Sequence, residues 1–336
     1  MKLVRETSPY IRREANVSRM MLDVIIALLP LVVFSIIGFG IRSLLVRAVS
    51  VAVMVLSETL FIKYSMKKKL TINNYLVPII SGIIYALLLP STVSIYVVVV
   101  GALFGIFIGK LVFGGTGHNI VNPAGIGRAF VGICFGSTFT YNNVVGGATA
   151  LGQLKENGLV NFTNVMENYS LTDLFLGNVP GSMGEVCKYL ILVGGIYLFV
   201  RRSADVRTFL SSIFTYVLLS ALAGLVLKVN VLEFTLFQLL TGGFLFGAVF
   251  MITDPVTTPI TSRGRVLYGT LVAGLTILIR FFGAYPEGMV FSIVLMNLCV
   301  PLIDYHKFAK NKYTLKYGIF TACVLLFFVL VVLLAL

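Results

Sequence analysis

The stretch from 113 to 128 carries the most unusual set of polar residues in the sequence, FGGTGHNIVNPAGIGR. Asn119 and Asn122 supply amide donors and acceptors three residues apart, and Pro123 suits the first turn of a helix. Because glycines let a backbone approach a flat ligand closely, the segment could bind a ring with imide edges. The alternative interpretation is a re-entrant turn whose polar atoms satisfy only its own backbone.

Arg128 and Asp254 are charged residues in or beside apolar runs. An unpaired charge at the position of Arg128 costs about 2.5–3.5 kcal/mol in a membrane, so we expect an anionic partner, for which Asp254 is the candidate. Asp254 interrupts its own apolar run in the sequence TDPVTT, where a carboxylate and hydroxyls could serve ion coupling. A plain turn is the alternative, since Asp-Pro and Thr are common turn formers.

Thr149 is the one hydroxyl residue of a small-residue tract, GGATAL. By itself this tract is typical of a flexible turn. The sequence offers no nucleophile triad and no close-spaced cysteine motif, and its two histidines are too isolated to suggest a metal site. Any redox chemistry therefore needs an external cofactor.

The composition identifies the kind of protein that positions these residues. Of 336 residues, 58% are apolar and only 12% are charged, and the mean hydropathy is +0.99. Soluble domains carry about 25% charged residues, so the chain is predicted to be an all-α polytopic membrane protein. The net charge of +13 then reflects lysine and arginine in cytoplasmic loops and does not indicate a nucleic-acid partner.

Apolar runs predict eleven helices, two of which end at prolines inside the membrane. The third stops before Pro90 and the eighth before Pro255. Four further charged residues lie near helix ends, where we expect them to reach the interface: Asp23, Glu58, Lys110 and Arg280. The predicted helices lie near 21–41, 44–64, 75–89, 93–112, 123–139, 185–200, 207–228, 236–252, 266–282, 286–303 and 318–336.

One broken helix in each half suggests an inverted repeat. Residues 1–140 form the first five-helix repeat in this interpretation, and 185–305 form the second in opposite orientation. A polar loop, 141–184, separates them. Residues 306–336 add a linker and a C-terminal transmembrane helix outside both repeats.

The distribution of positive charge predicts the orientation of the chain in the membrane. With a cytoplasmic N-terminus, 19 of the 26 lysines and arginines fall on the inner side and six on the outer side, while Arg128 lies within a helix. The 141–184 loop then lies outside.

The sequence resembles membrane subunits that carry covalent flavin: the D subunit of Rnf-type ferredoxin:NAD oxidoreductase and the paralogous B subunit of the sodium-pumping NADH:quinone oxidoreductase. The similarity runs from Ser8 to Tyr305. Its motifs are MLDVIIALLP at 21–30, the 113–130 segment, GAT at 147–149, GNVPGS at 177–182, TDP at 253–255 and AYPEG at 284–288. The chain differs from the family pattern at Asn143 and Gly146.

The resemblance implies FMN joined through its phosphate to Thr149 by a separate flavin transferase, and a non-covalent riboflavin held by Asn119 and Asn122. It implies a location in the bacterial cytoplasmic (inner) membrane, other membrane and peripheral subunits as partners, and Na⁺ or H⁺ translocation coupled to electron transfer. The two flavins would lie near opposite membrane faces.

The short N-terminal segment favours the Rnf D subunit over its quinone-reductase relative, which has a longer polar extension. A redox-free solute or ion channel or transporter is the competing class, because inverted repeats with broken helices also suit permeation.

Overall fold

The computed structural model describes residues 17–67, 69–136, 149–285, 287–306 and 314–336. Within these ranges the chain is helical, without strands, and six helices are long and apolar enough to cross a membrane, or seven if the bent pair described below is one span. The prediction of an all-α polytopic membrane protein is therefore confirmed. The boundary predicted at 140/141 and the residues Asn143 and Gly146 lie outside the described ranges.

The described part of the first half contains five α-helices. The predicted positions agree with the structure to within a few residues, and α2 is extended by a π-helical turn at Phe61–Ser65. The helix α3 ends before Pro90, as predicted from the proline. The bounds are α1 Val17–Phe39, α2 Ile41–Leu60, α3 Asn73–Leu87, α4 Ile95–Gly109 and α5 Pro123–Cys134.

The segment predicted to lie outside, which we call the outer segment, is more ordered than predicted. Its described part, 149–184, contains three short helices, α6 Ala150–Asn157, α7 Phe162–Met166 and α8 Leu171–Leu176. Buried Phe162 packs edge-on against Phe234, so this segment is fixed to the membrane helices. These helices were not predicted because each has only one to three buried apolar residues, too few to form a recognisable helical pattern in the sequence.

The second half contains α9 Lys188–Arg201, α10 Val206–Val226, α11 Val231–Leu240, α12 Phe244–Phe250, α13 Ser262–Phe282 and α14 Met289–Ile303. The prediction of a single helix at 236–252 is wrong. It is a pair, α11 and α12, bent by 56° at Gly242, whose φ of +62° favours glycine. The last helix, α15, spans Leu315–Ala335.

The two halves repeat one pattern of neighbouring helices. In the first, α2 contacts α3 and α4, α4 contacts α5, and α1 contacts α3; in the second, α10, α11/α12, α13, α14 and α9 make the corresponding contacts. The halves meet through α1 with α9 and through α5 with α14. The inverted repeat stays a prediction, which this pattern supports.

Glycines bring α4 and α5 together. A Cβ atom on Gly105 would lie 2.5 Å from the Pro123 carbonyl oxygen, and one on Gly127 would lie 2.7 Å from the Gly101 carbonyl oxygen. Such close backbone approach is typical of small residues between membrane helices. It fixes the start of α5, and with it Asn122, beside the end of α4.

Candidate functional site: a cavity at Asn119 and Asn122 and a pocket at Thr149

A cavity of about 320 Å³, which we call the inner cavity after its predicted cytoplasmic side, lies at the helix break before Pro255. Asn119 and Asn122 line it from the glycine-rich segment, and Asp254 lines it from the end of α12. Most of the remaining wall is apolar, contributed by α1, α3 and α12. Its size falls in the range of small-molecule sites, and apolar walls with a few polar groups suit a flat ring with a polar edge.

Asn122 has a structural role in this cavity. Its side-chain oxygen accepts hydrogen bonds from the backbone N–H groups of Ala124 (3.0 Å) and Gly125 (3.2 Å), which caps α5. The amide nitrogen is left for other partners. The alternative interpretation, a turn whose polar atoms satisfy only its own backbone, therefore applies to the side-chain oxygen of Asn122 and not to its amide nitrogen.

Asn297 on α14 connects the two loops around the cavity. With its amide oriented to satisfy its neighbours, it accepts from the Asn122 backbone N–H (3.0 Å) and donates to the Thr257 carbonyl (3.2 Å). It also lies 2.6 Å from the Tyr268 hydroxyl. This buried bridge holds the Asn119–Asn122 loop against the Asp254 loop. Asn297 was not predicted from the sequence, in which it is a lone amide in an apolar helix.

A buried ion pair also lies at the cavity. Lys110 Nζ donates to Glu58 Oε2 at 2.6 Å, and Thr116 Oγ1 donates to Glu58 Oε1 at 2.6 Å. Lys110 and Thr116 line the cavity. The expectation that Glu58 and Lys110 reach the interface is wrong, because each satisfies the other's charge inside the protein.

Asp23 and Arg280 likewise do not reach the interface, as both are at most 5% exposed. Asp23 on α1 accepts from Ser203 Oγ (2.6 Å) and pairs with Arg201 Nε (3.2 Å), which joins the two halves of the protein near the cavity. Arg280 donates to the Gln238 carbonyl at 2.6 Å.

The structure does not bring Asp254 and Arg128 together. One carboxylate oxygen of Asp254 accepts from the Thr257 hydroxyl at 3.0 Å and the other from the Val256 N–H at 3.3 Å. Arg128 Nε donates to the Leu88 carbonyl at 2.8 Å, at the end of α3. No ion pair within the described ranges joins Asp254 to Arg128, so the predicted pairing is not observed.

Each of these residues has a different charged neighbour. Lys110, which lines the same cavity, acts electrostatically on Asp254. Arg128 acts electrostatically on Glu185, which lies at the N-terminal end of α12, whereas the cavity lies at its C-terminal end. Arg128 lies five residues, more than one helical turn, beyond Pro123, and it does not line the cavity that Pro123 lines.

Thr149 begins the outer segment as the N-cap of α6. Its hydroxyl oxygen accepts from the Gly152 N–H at 3.1 Å, and the residue is half-buried. It borders a small pocket of about 30 Å³ with Gly181, Glu185 and Glu287. The Thr149, GNVPGS and AYPEG motifs thus converge in one place, although Gly147 and Ala148 lie outside the described residues.

Buried charges support the bend beside Thr149. Lys188 Nζ donates to the Gly242 carbonyl at 2.7 Å, and Arg280 Nη2 lies 3.3 Å from the Thr241 carbonyl oxygen. These carbonyls follow the C-terminus of α11, where cations offset the helix dipole. Glu185 fits against Gly243, which has no side chain to exclude it. None of these roles was predicted from the sequence.

The short helix α12 separates the inner cavity from the pocket at Thr149, which we call the outer pocket. Gly242 lines the outer pocket and Phe250 lines the inner cavity, so about 12 Å of chain separates them at the helical rise. The rings of Phe246 and Phe250 lie between, with centroids 5.2 Å apart.

Two relatives match nearly the whole chain. The D subunit of the proton-translocating ferredoxin:NAD(+) oxidoreductase complex of Clostridium ljungdahlii is 33% identical over 311 residues, which cover 89% of this chain and 92% of the relative. The D subunit of the Na(+)-translocating ferredoxin:NAD(+) oxidoreductase complex of Acetobacterium woodii is 32% identical over 320 residues, or 93% and 95% of the two chains.

A third relative matches over a shorter range. The B subunit of the Na(+)-translocating NADH-quinone reductase of Chromohalobacter salexigens is 38% identical over 239 residues, which cover 67% of this chain and 57% of the relative. The chain therefore spans little more than half the length of this relative. The model of the NQR2, RnfD, RnfE family matches residues 4–312, and the chain belongs to that family.

Proposed function

We propose that this chain is a flavin-carrying membrane subunit of an Rnf-type, ion-translocating electron-transport complex. The observation that carries the proposal is the shared cavity of Asn119, Asn122 and Asp254, with Thr149 at the other end of α12. Relatives over the whole chain are subunits of ferredoxin:NAD(+) oxidoreductase complexes. Other membrane and peripheral subunits are the expected partners.

The residues of the inner cavity fit a non-covalent flavin, for which we propose riboflavin. Apolar side chains such as Ile84 and Phe250 can cover the faces of a tricyclic ring. The Asn119 amide and the free amide nitrogen of Asn122 can pair with the imide edge. Bound there, a flavin would supply one-electron redox chemistry that no side chain in the cavity offers.

The outer site fits an attachment point more than a ring-binding pocket. The space at Thr149 is about 30 Å³, against about 320 Å³ in the inner cavity, so a ring joined to Thr149 would lie outside this pocket. The hydroxyl of half-buried Thr149, at the start of α6, can carry a phosphoester formed by a flavin transferase. Its phosphate would be close to the positive end of the α6 dipole.

The proposed topology puts Thr149 outside and the cavity near the cytoplasm of a bacterial inner membrane. Electrons passing between the two sites would then cross the membrane, and Asp254 is the proposed residue for coupling this transfer to Na⁺ or H⁺. Lys110, which pairs with buried Glu58, and Asp254 both line this cavity, so charges of both signs can respond to a change in charge at a bound ring.

Flavin content tests this proposal directly. The purified chain, co-expressed with a flavin transferase, should fluoresce as a flavoprotein after denaturing electrophoresis, and acid should extract riboflavin. Thr149→Ala should remove the covalent fluorescence and leave the acid-extracted flavin, while the control Thr163→Ala, in an exposed position on α7, should keep both. A chain without either flavin would favour the redox-free channel or transporter.

A further inference from the structure

A second cavity, of about 710 Å³, shares no lining residue with the proposed flavin site. Its walls come from α13, α14 and α15, and we call it the α13–α15 groove. The apolar lining is provided by Leu267, Leu271, Met296, Leu302 and Phe320.

The way in which α15 packs explains why this groove is open. The two buried residues of α15, Phe328 and Val332, are both in its C-terminal half. The Phe328 ring lies over Gly274, where a Cβ atom would approach it to 2.5 Å, so α15 is held close to α13 at that level. Towards its N-terminus, α15 contributes only exposed or half-buried side chains, and a space remains between it and α14.

Polar groups lie at one end of the groove only. Thr261, Arg263 and Tyr317 line that end, and the Tyr317 hydroxyl donates to the Arg263 carbonyl. The Arg263 guanidinium is half-buried and makes no hydrogen bond or ion pair with a residue that the structure describes. Lys316, next to Tyr317, is exposed.

The acidic residues nearby are already engaged. Asp304, which follows Ile303 in the groove wall, accepts from the Ile260 N–H at 2.9 Å. Asp205 pairs with Arg265 at 2.5 Å. The groove thus combines a long apolar wall with a guanidinium, at the predicted cytoplasmic end, that forms no ion pair with a described carboxylate.

We propose that the α13–α15 groove binds one anionic phospholipid, with an acyl chain along the apolar wall and the phosphate at Arg263. A guanidinium can bind a phosphate through two parallel hydrogen bonds. Basic pockets between helices on the cytoplasmic side suit anionic headgroups, which are concentrated in that leaflet. The lipid would fill the space between α15 and α14 and stabilise the docking of α15.

Paired lipids with identical acyl chains test the proposal in the purified full chain. Dioleoyl phosphatidylglycerol or dioleoyl phosphatidylcholine is added to the protein in detergent, and the melting temperature and the lipid retained in native mass spectrometry are measured. Phosphatidylglycerol should raise the melting temperature more and be retained at about one molecule per chain. Arg263→Gln should weaken its binding about 5-fold, the effect of one positive charge near the membrane surface.

Two further variants locate the effect. Arg202→Gln removes an exposed inner-side arginine away from the groove and should behave as wild type. Cys299→Phe places a ring in the groove and should prevent retention of either lipid. Equal effects of both lipids on the wild type, or full phosphatidylglycerol retention in Arg263→Gln, would overturn the proposal. The flavin content of all variants should equal that of wild type, so the proposal stands apart from the proposed function.

Discussion

The ammonium nitrogen of Lys110 lies 2.6 Å from a carboxylate oxygen of Glu58, and neither side chain is more than 1% exposed. The second carboxylate oxygen accepts from Thr116. Through these contacts α2, the end of α4 and the glycine-rich segment are fixed to one another. The Asn119–Asn122 loop therefore depends on a charge pair whose members are 52 residues apart in the sequence.

Removing one member of this pair should destabilise the protein strongly. Lys110→Met leaves the Glu58 carboxylate buried without its cation, and we expect a loss of about 3–5 kcal/mol, with a similar loss for Glu58→Gln. The double variant should recover part of the stability, since no unpaired charge remains. Thermal unfolding in detergent measures this, with exposed Lys63→Met as a control that should stay within about 0.5 kcal/mol of wild type. Additive losses in the double variant would contradict the pairing.

Asn122 has two roles that different substitutions can separate. Asn122→Ser keeps an oxygen that can cap α5 but removes the amide nitrogen, so the fold should persist while riboflavin binding falls about 5- to 150-fold. Asn122→Ala should in addition lose about 1 kcal/mol of stability with the cap.

Asn119→Leu is the matched variant, because Asn119 does not cap a helix. It should lower flavin content without weakening α5. Acid-extracted flavin and thermal unfolding are measured on the same preparations. Unchanged flavin in both Asn122→Ser and Asn119→Leu would reject the assignment of these amides.

Arg128 and Asp254 should behave as independent residues. Arg128 donates to the Leu88 carbonyl and Asp254 accepts from its own loop, so the hydrogen bonds among the described residues give the two no common partner. The stability changes of Arg128→Gln and Asp254→Asn should therefore add within about 0.3–0.5 kcal/mol in the double variant. A larger compensating term in this double-mutant cycle would restore the direct pair expected from the sequence.

Helix positions were predictable because the membrane requires long apolar runs, and these runs are visible in the sequence. The break at Pro90 also followed from proline chemistry. The bend at Gly242 was missed although Gly242 and Gly243 stand together in the run. Glycine tolerates both helix and turn. The bend is favoured because Lys188 and Arg280, distant in the sequence, donate to the carbonyls that it leaves without helical partners.

The inner cavity was predicted only in part. Asn119, Asn122 and Asp254 were recognised one by one, because polar residues in apolar runs are costly and stand out. Their meeting in one cavity depends on the packing of distant helices, and so does the choice of partner for each charge. Asp254 was paired with Arg128 on the basis of the predicted side of the membrane, which does not distinguish Arg128 from Lys110.

Asp254→Asn tests whether this carboxylate couples ion movement to electron transfer. The substitution keeps the size of the side chain and an oxygen that can accept from Thr257, so we expect a folded protein with both flavins. It removes the negative charge from the cavity, where Lys110 acts on it, and should abolish ion uptake while electron transfer continues.

Uptake of Na⁺ and of H⁺ is measured in proteoliposomes of the whole complex, beside flavin content and NADH-linked electron transfer. Asp173→Asn on α8 is the control, because it changes an aspartate of the outer segment away from the cavity. Unchanged uptake by a stable Asp254→Asn complex would leave Asp254 as a turn residue, since the charge would then have no part in coupling.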